Sequence, residues 1–130
     1  MLMGDRAEID LQINQASGIP IYVQLKEAIK HWILVGKYPP GSQLPTVRQL
    51  AVALKINPNT VARVYSELES EGVLATRQGR GTFVKETDVL PSDAGRKELK
   101  ARLEQLLKTA YELGYSVDDV RELIDEIVSS

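Results

Sequence analysis

Hydrophobic positions fall into five helix-spaced stripes and three short β-prone runs, and Gly or Pro marks most of the breaks between them. Ile9-Asp10-Leu11-Gln12-Ile13-Asn14 alternates apolar and polar side chains, the pattern of a short half-buried strand. Ser17-Gly18 interrupts it. Pro20 stands where a helix would begin, in the first turn, which needs no N–H donor. Ile21, Val23, Leu25, Ile29, Trp32, Ile33 and Val35 carry that helix to Gly36, and Pro39-Pro40-Gly41 reads as loop. Thr46 suits the N-cap of a second helix, with Val47, Leu50, Ala51 and Leu54 on one face. Asn57 caps a third, Pro58 takes its first position, and Val61, Val64, Tyr65 and Leu68 follow at helical spacing until Gly72.

Only Lys55-Ile56 separates the second and third stripes, so the two helices must cross at a large angle, as in a helix-turn-helix. The β-prone runs at 73–77 and 82–85 flank Gln78-Gly79-Arg80-Gly81 and predict a hairpin with a basic tip. Three helices followed by that hairpin is the order of a winged helix-turn-helix.

Beyond the break at Leu90-Pro91-Ser92, a helix is expected from about Asp93 to Leu113. Its Leu99, Leu103, Leu106, Ala110 and Leu113 are spaced 4, 3, 4 and 3. Ser116 with Asp119 resembles a capping box, and Val117, Val120, Leu123, Ile124, Ile127 and Val128 form a last apolar stripe. The expected fold class is mainly α with a small β-hairpin wing. Residues 1–19 form an N-terminal segment with a short strand, 20–85 the winged helix-turn-helix, 86–92 a linker, and 93–130 two C-terminal helices for dimerisation.

About 40 residues rarely close an independent core. The tail's stripes therefore pack on the first domain or pair with a second copy. The two-heptad spacing favours the second, with Leu99, Leu103, Leu106, Ala110, Leu113, Val120, Ile124 and Ile127 as the candidate dimer contacts.

Charge sharpens this division. The chain carries 16 Lys and Arg against 18 Asp and Glu, a net −2 that by itself argues against a nucleic-acid partner. By segment the balance is −2 for residues 1–19, +5 for 20–85 and −5 for 86–130. A basic middle followed by an acidic tail suggests two jobs in one chain. With no Cys and a single His, His31, the sequence offers no disulfide framework, thiol nucleophile or His-based metal cluster, and no Ser-His-Asp set. Gly79-Arg80-Gly81 lacks the Lys-Ser/Thr and helix of a nucleotide loop. The tail acids Asp118, Asp119, Glu122, Asp125 and Glu126 read as a solvated face with first-turn acids complementing the helix dipole. No catalytic group, metal or cofactor is expected. No apolar run approaches the roughly 20 residues of a membrane span, and no signal peptide is evident, so a cytoplasmic protein is expected.

Residues 20–85 resemble the DNA-binding domain of the GntR family of bacterial transcription regulators. The resemblance lies in Pro20-Ile21-Tyr22-Val23-Gln24-Leu25, in Ile33 to Gly36, in Pro40-Gly41-Ser42-Gln43-Leu44-Pro45-Thr46-Val47-Arg48-Gln49-Leu50-Ala51, and in Ile56-Asn57-Pro58-Asn59-Thr60-Val61. It continues through Tyr65, Glu67-Leu68-Glu69 and Glu71-Gly72 to Thr76-Arg77 and Gly79-Arg80-Gly81-Thr82-Phe83-Val84. The short two-helix tail resembles the YtrA branch of that family.

The resemblance implies DNA contacts from Thr46, Arg48, Asn57, Asn59, Thr60, Arg63, Tyr65, Arg77, Gly79, Arg80 and Gly81. An Arg fork at position 48 suits a phosphate or a guanine edge, or is a plain surface charge. Asn57 either caps its helix or reads adenine. Asn59, Thr60 and Arg63 lie on the first two turns of the recognition helix. Relatives often carry Arg where Pro58 and Ala62 stand here, so their base code does not transfer. Tyr65 packs in the core or sends its hydroxyl to a phosphate. The wing glycines allow close approach, and a narrow groove attracts Arg80.

The leading expectation is therefore a homodimeric repressor on a palindromic double-stranded operator, with half-sites about 10 bp apart and a small-molecule effector acting on the tail. The alternative is a winged-helix protein-interaction module without specific DNA binding, for which Glu67, Glu69 and Glu71 would supply an acidic face. An enzyme is not expected.

Overall fold

The computed structural model describes residues 13–86 and 89–129. Within them the order is α1 (Ile21–Leu34), α2 (Val47–Leu54), α3 (Pro58–Ser70), β1 (Leu74–Arg77), β2 (Gly81–Val84), α4 (Asp93–Glu112) and α5 (Val117–Ser129). These fall into two compact units, residues 1–86 and 87–130. No described helix is long and apolar enough to cross a membrane.

The first unit closes around apolar faces of α1, α2 and α3. Leu25 and Ile29 of α1, Leu50 of α2, and Val61, Val64 and Leu68 of α3 are fully buried, with Leu74 of β1 beside them. Each such side chain contributes about 1.5–3 kcal/mol through burial. Trp32 and Tyr38 add a tilted ring pair at 5.9 Å.

Local chemistry sets the helix ends. Thr46 and Gln49 form a reciprocal capping box: the Gln49 N–H donates to Thr46 Oγ1 (3.0 Å) and the Thr46 N–H to Gln49 Oε1 (2.9 Å). Asn57 Oδ1 accepts from the Asn59 N–H at 2.8 Å, with Pro58 next in the chain opening α3. Pro20 stands one place before its expected position. It is the N-cap of α1, and its carbonyl accepts from the N–H groups of Val23 and Gln24.

The expected strand at 9–14 falls mostly outside the described residues. Its last member, Asn14, leads into a turn, held by Gln24. That side chain accepts from the Asn14 N–H (2.9 Å) and donates to the carbonyls of Asn14 (3.0 Å) and Ile19 (2.9 Å).

The α2–α3 turn rests on Lys55 in the left-handed region (φ 58°, ψ 47°), the only described residue other than glycine with positive φ. The hairpin is antiparallel, in register from Leu74 opposite Val84 to Arg77 opposite Gly81. The chain before α2 extends this sheet. Gly41 N–H donates to the Val84 carbonyl, Val84 N–H to Ser42, and Leu44 N–H to Thr82, at 2.8 to 2.9 Å. Gln43 pairs with Phe83 as an isolated bridge. A segment that reads as loop is thus half a third strand.

In the second unit, Ser92 Oγ accepts from the Gly95 N–H at the start of α4 (3.0 Å), and Ser116 and Asp119 form the expected reciprocal cap of α5 (2.8 and 3.1 Å). Ala110 and Val120 are buried, whereas Leu99, Leu103, Leu106, Leu113, Ile124 and Ile127 are exposed.

The left-handed Lys55 yields a stability prediction. A β-branched residue tolerates that conformation poorly, whereas Asn adopts it readily. Lys55→Val should lower unfolding stability by about 1–2 kcal/mol, and Lys55→Asn should leave it nearly unchanged. Equal urea midpoints for the two variants would contradict a constraint at this turn.

Candidate nucleic-acid interface

Burial divides α3 into two faces. Val61, Val64, Tyr65 and Leu68 turn inward, leaving Asn59 exposed and Thr60 half-buried near the start of the helix. Asn57 is exposed at the N-cap, but its Oδ1 is committed to the Asn59 N–H. Thr46 and Arg48 are exposed at the start of α2. With the described residues, neither Arg48 nor Arg80 makes an ion pair.

At the wing, the Arg80 N–H closes a turn onto the Arg77 carbonyl at 2.9 Å. Gly79, third in that turn, has φ +76°, where a side chain would be strained. Arg77 does not extend freely: its guanidinium lies 4.8 Å from the Phe83 ring centroid.

Tyr65 and Arg63 both have partners within the first unit. The Tyr65 hydroxyl donates to the Pro45 carbonyl at 2.7 Å, and the residue is 6% exposed. Burial, with a smaller effect from Tyr38, pushes its phenol well above the usual value. Tyr65 therefore ties α3 to the residue just before the α2 cap, as its core-packing reading expects. Arg63 is turned toward α1. Its guanidinium lies 3.7 Å from the Tyr22 ring centroid, and its Nε donates to Glu67 at 3.1 Å. In the absence of DNA the cation–π contact and the ion pair draw its guanidinium toward α1.

The acids of α3 are also occupied. Lys26 bridges Glu67 (3.2 Å) and Glu71, and Lys30 reaches Glu71 at 3.3 Å. Glu69 accepts from the Thr76 N–H at 3.1 Å. The acidic face on which a protein-interaction module would depend is spent on α1 and β1. The Arg63 hydrogen bond, followed by that from Lys26, holds the Glu67 carboxyl below its usual range, and the Lys26 hydrogen bond, followed by that from Lys30, does the same for Glu71. Lys26 is raised in turn, first by Glu71.

Residues 21–84 match the gntR family of bacterial regulatory proteins. The HTH-type transcriptional repressor YtrA of Bacillus subtilis (strain 168) is 39% identical over 118 residues, spanning 90% of this chain and 91% of that protein. The chain belongs to the GntR family.

Its architecture matches solved members. YtrA from Sulfolobus acidocaldarius, a GntR-family transcription factor, has a TM-score of 0.55 at 28% identity, covering 92% of this chain and 97% of that one. The AraR DNA-binding domain in complex with operator ORX1 has a TM-score of 0.52 at 36% identity, covering 57% and 92%. The protein is accordingly a winged helix-turn-helix transcription regulator of the DNA-binding GntR type.

The family resemblance points to Thr46, Arg48, Asn57, Asn59, Thr60 and the wing, and leaves out the supporting residues Tyr22, Gln43 and Gln49. Gln49, three positions after Thr46, carried a readable signal as a capping-box residue. Tyr22 and Gln43 carried none, because their partners lie 41 and 37 positions away.

The ion cluster makes stability depend on pH. Carboxyls held below their usual value stabilise the fold above about pH 4.3, and that contribution is lost as pH falls through their folded values. Lys26, held above its usual value, contributes fully below about pH 10.4 and loses that contribution as pH rises through its folded value. Melting of the wild type should therefore fall at both extremes. Glu67→Gln with Glu71→Gln should flatten both limbs; an unchanged profile would show that the cluster adds nothing.

Proposed function

We propose that this protein is a homodimeric transcriptional repressor that binds a palindromic operator through α2, the first turns of α3 and the wing. The observation that carries this reading is the sorting of charge around α3. Its acids are paired toward α1 and β1, while the start of the helix stays polar and exposed, and Arg48 and Arg80 stand without ion pairs among the described residues. An Arg at a helix start and an Arg on a wing suit phosphate and groove contacts respectively. The similarity to the repressor YtrA over nearly the whole chain supports the direction of regulation.

The tail supplies the second copy in this reading. Leu103 is 45% and Ile124 46% exposed, and Leu99, Leu106, Leu113 and Ile127 are exposed as well. An apolar surface of this breadth on two short helices calls for a partner. Two copies give two recognition helices and half-sites about one helical turn apart. A small ligand that altered the pairing of the tails would alter that separation and so the affinity.

A duplex selected by the wild-type protein from a random pool should be bound far better than its scrambled version. Affinity should fall steeply with salt. Arg48→Ala should weaken binding by about tenfold or more. Selection of no preferred sequence, or indifference to Arg48→Ala, would overturn the reading. Leu103→Asp with Leu106→Asp should convert the dimer to monomer in sedimentation velocity while α1–α3 still melt cooperatively. A variant that remained dimeric would move the interface elsewhere.

A further inference from the structure

We propose that Gln43 is the positioning residue of the wing. Its carboxamide holds the Arg80 backbone carbonyl and so sets where the Arg80 guanidinium meets the groove. The proposal rests on the wing contacting DNA, as in the reading above.

The argument begins with where the sheet stops. Backbone hydrogen bonds join residues 41–44 to β2 only as far as Thr82, through the Leu44 N–H. Toward the tip the main chain of this segment offers nothing more, because it turns away into the α2 cap at Thr46. The Gln43 side chain continues the connection, with Nε2 donating to the Arg80 carbonyl at 2.8 Å. Only the NH2 of the carboxamide can donate to a carbonyl, so its orientation is determined. The Arg80 N–H is already committed to Arg77. Both backbone polar groups of Arg80 are therefore engaged, one within the turn and one across to Gln43.

Gly81 shows that this path is a close fit. Its φ is +122°, and a Cβ built there would lie 2.5 Å from Gln43 Nε2. The residue after Arg80 thus leaves room for the Gln43 side chain to pass. The base of the hairpin is anchored in the core through Leu74 and Val84, whereas a short two-stranded tip has little stability of its own. Without this connection the tip beyond Thr82 would be held only by the pairing of β1 with β2 and the Arg80–Arg77 turn, and Arg80 would be less sharply placed. Gln43 touches no base in this account. It acts by narrowing the positions that Arg80 occupies before binding, which lowers the ordering cost of the complex.

The test is a double-mutant cycle using the duplex selected by the wild-type protein, read by fluorescence anisotropy. Gln43→Met keeps the length of the side chain, removes the donor and adds no charge. It should weaken binding by about tenfold, comparable to Arg80→Ala. In the Arg80→Ala background it should have almost no further effect, because there is no guanidinium left to place. Thermal melting should be nearly unchanged, since Gln43 is exposed.

Equal weakening by Gln43→Met in both backgrounds would overturn the proposal in favour of a direct contact or general destabilisation. No weakening by Gln43→Met alone, while Arg80→Ala weakens, would overturn it as well. If Arg80→Ala is silent but Arg48→Ala is not, the wing reading fails and takes the proposal with it, while DNA binding by the helices stands.

Discussion

The one-sided burial of α3 governs the rest of the first unit. Val61, Val64 and Leu68 are removed from water completely, and Tyr65 nearly so. Rotating α3 would expose several of these side chains at once, each at a cost of about 1.5–3 kcal/mol. The helix is therefore fixed about its own axis by the core, and the direction of Asn59 and Thr60 follows. Two further restraints set its relation to α2: the left-handed turn at Lys55 in the chain and the Tyr65–Pro45 hydrogen bond across it. The interface side of α3 is what the packing side leaves over.

Electrostatics sharpens the same division. Segment 20–85 has four acids, Glu27, Glu67, Glu69 and Glu71. Three are bonded to Lys26, Lys30, Arg63 or a backbone N–H in the later half of α3 and its neighbours. At the start of α3 no acid stands on the helix, and the helix dipole adds partial positive charge there. A net charge of −2 for the chain says nothing of this local field. Surface pairs of this kind add little stability individually. Their larger consequence is to neutralise carboxylates on α3 with cations of α1 and of α3 itself.

Local chemistry was legible in the sequence and long-range chemistry was not. The caps at Thr46, Asn57 and Ser116 depend on residues two or three positions away, so side-chain types in order were enough to locate them. The helix stripes and the hairpin were equally plain, because periodicity is a property of neighbours. Position places Arg63 at the DNA and leaves Tyr65 open between core and phosphate, and the structure gives both residues partners within the first unit. Tyr22 and Pro45 lie 41 and 20 residues away, and nothing in a linear pattern brings them near. The strand-like course of residues 41–44 was hidden for the same reason. Two prolines and a glycine signal a break in helix, yet the hydrogen bonds that this stretch makes depend on where β2 lies.

The tail shows how one apolar stripe can serve two purposes. The 4, 3, 4, 3 spacing treats Leu99, Leu103, Leu106, Ala110 and Leu113 as a single seam, but α4 and α5 bury only Ala110 and Val120. A small residue at 110 suits close packing of one helix on the other, and the leucines stay outside. Such a hairpin has too little core to be stable alone, so in the proposed dimer the pairing of tails and their ordering are one event. Apparent stability then depends on protomer concentration. In that proposed dimer, one head on its half-site would raise the effective concentration of the second. Modest contacts from a few side chains on each head would then add up to a specific complex.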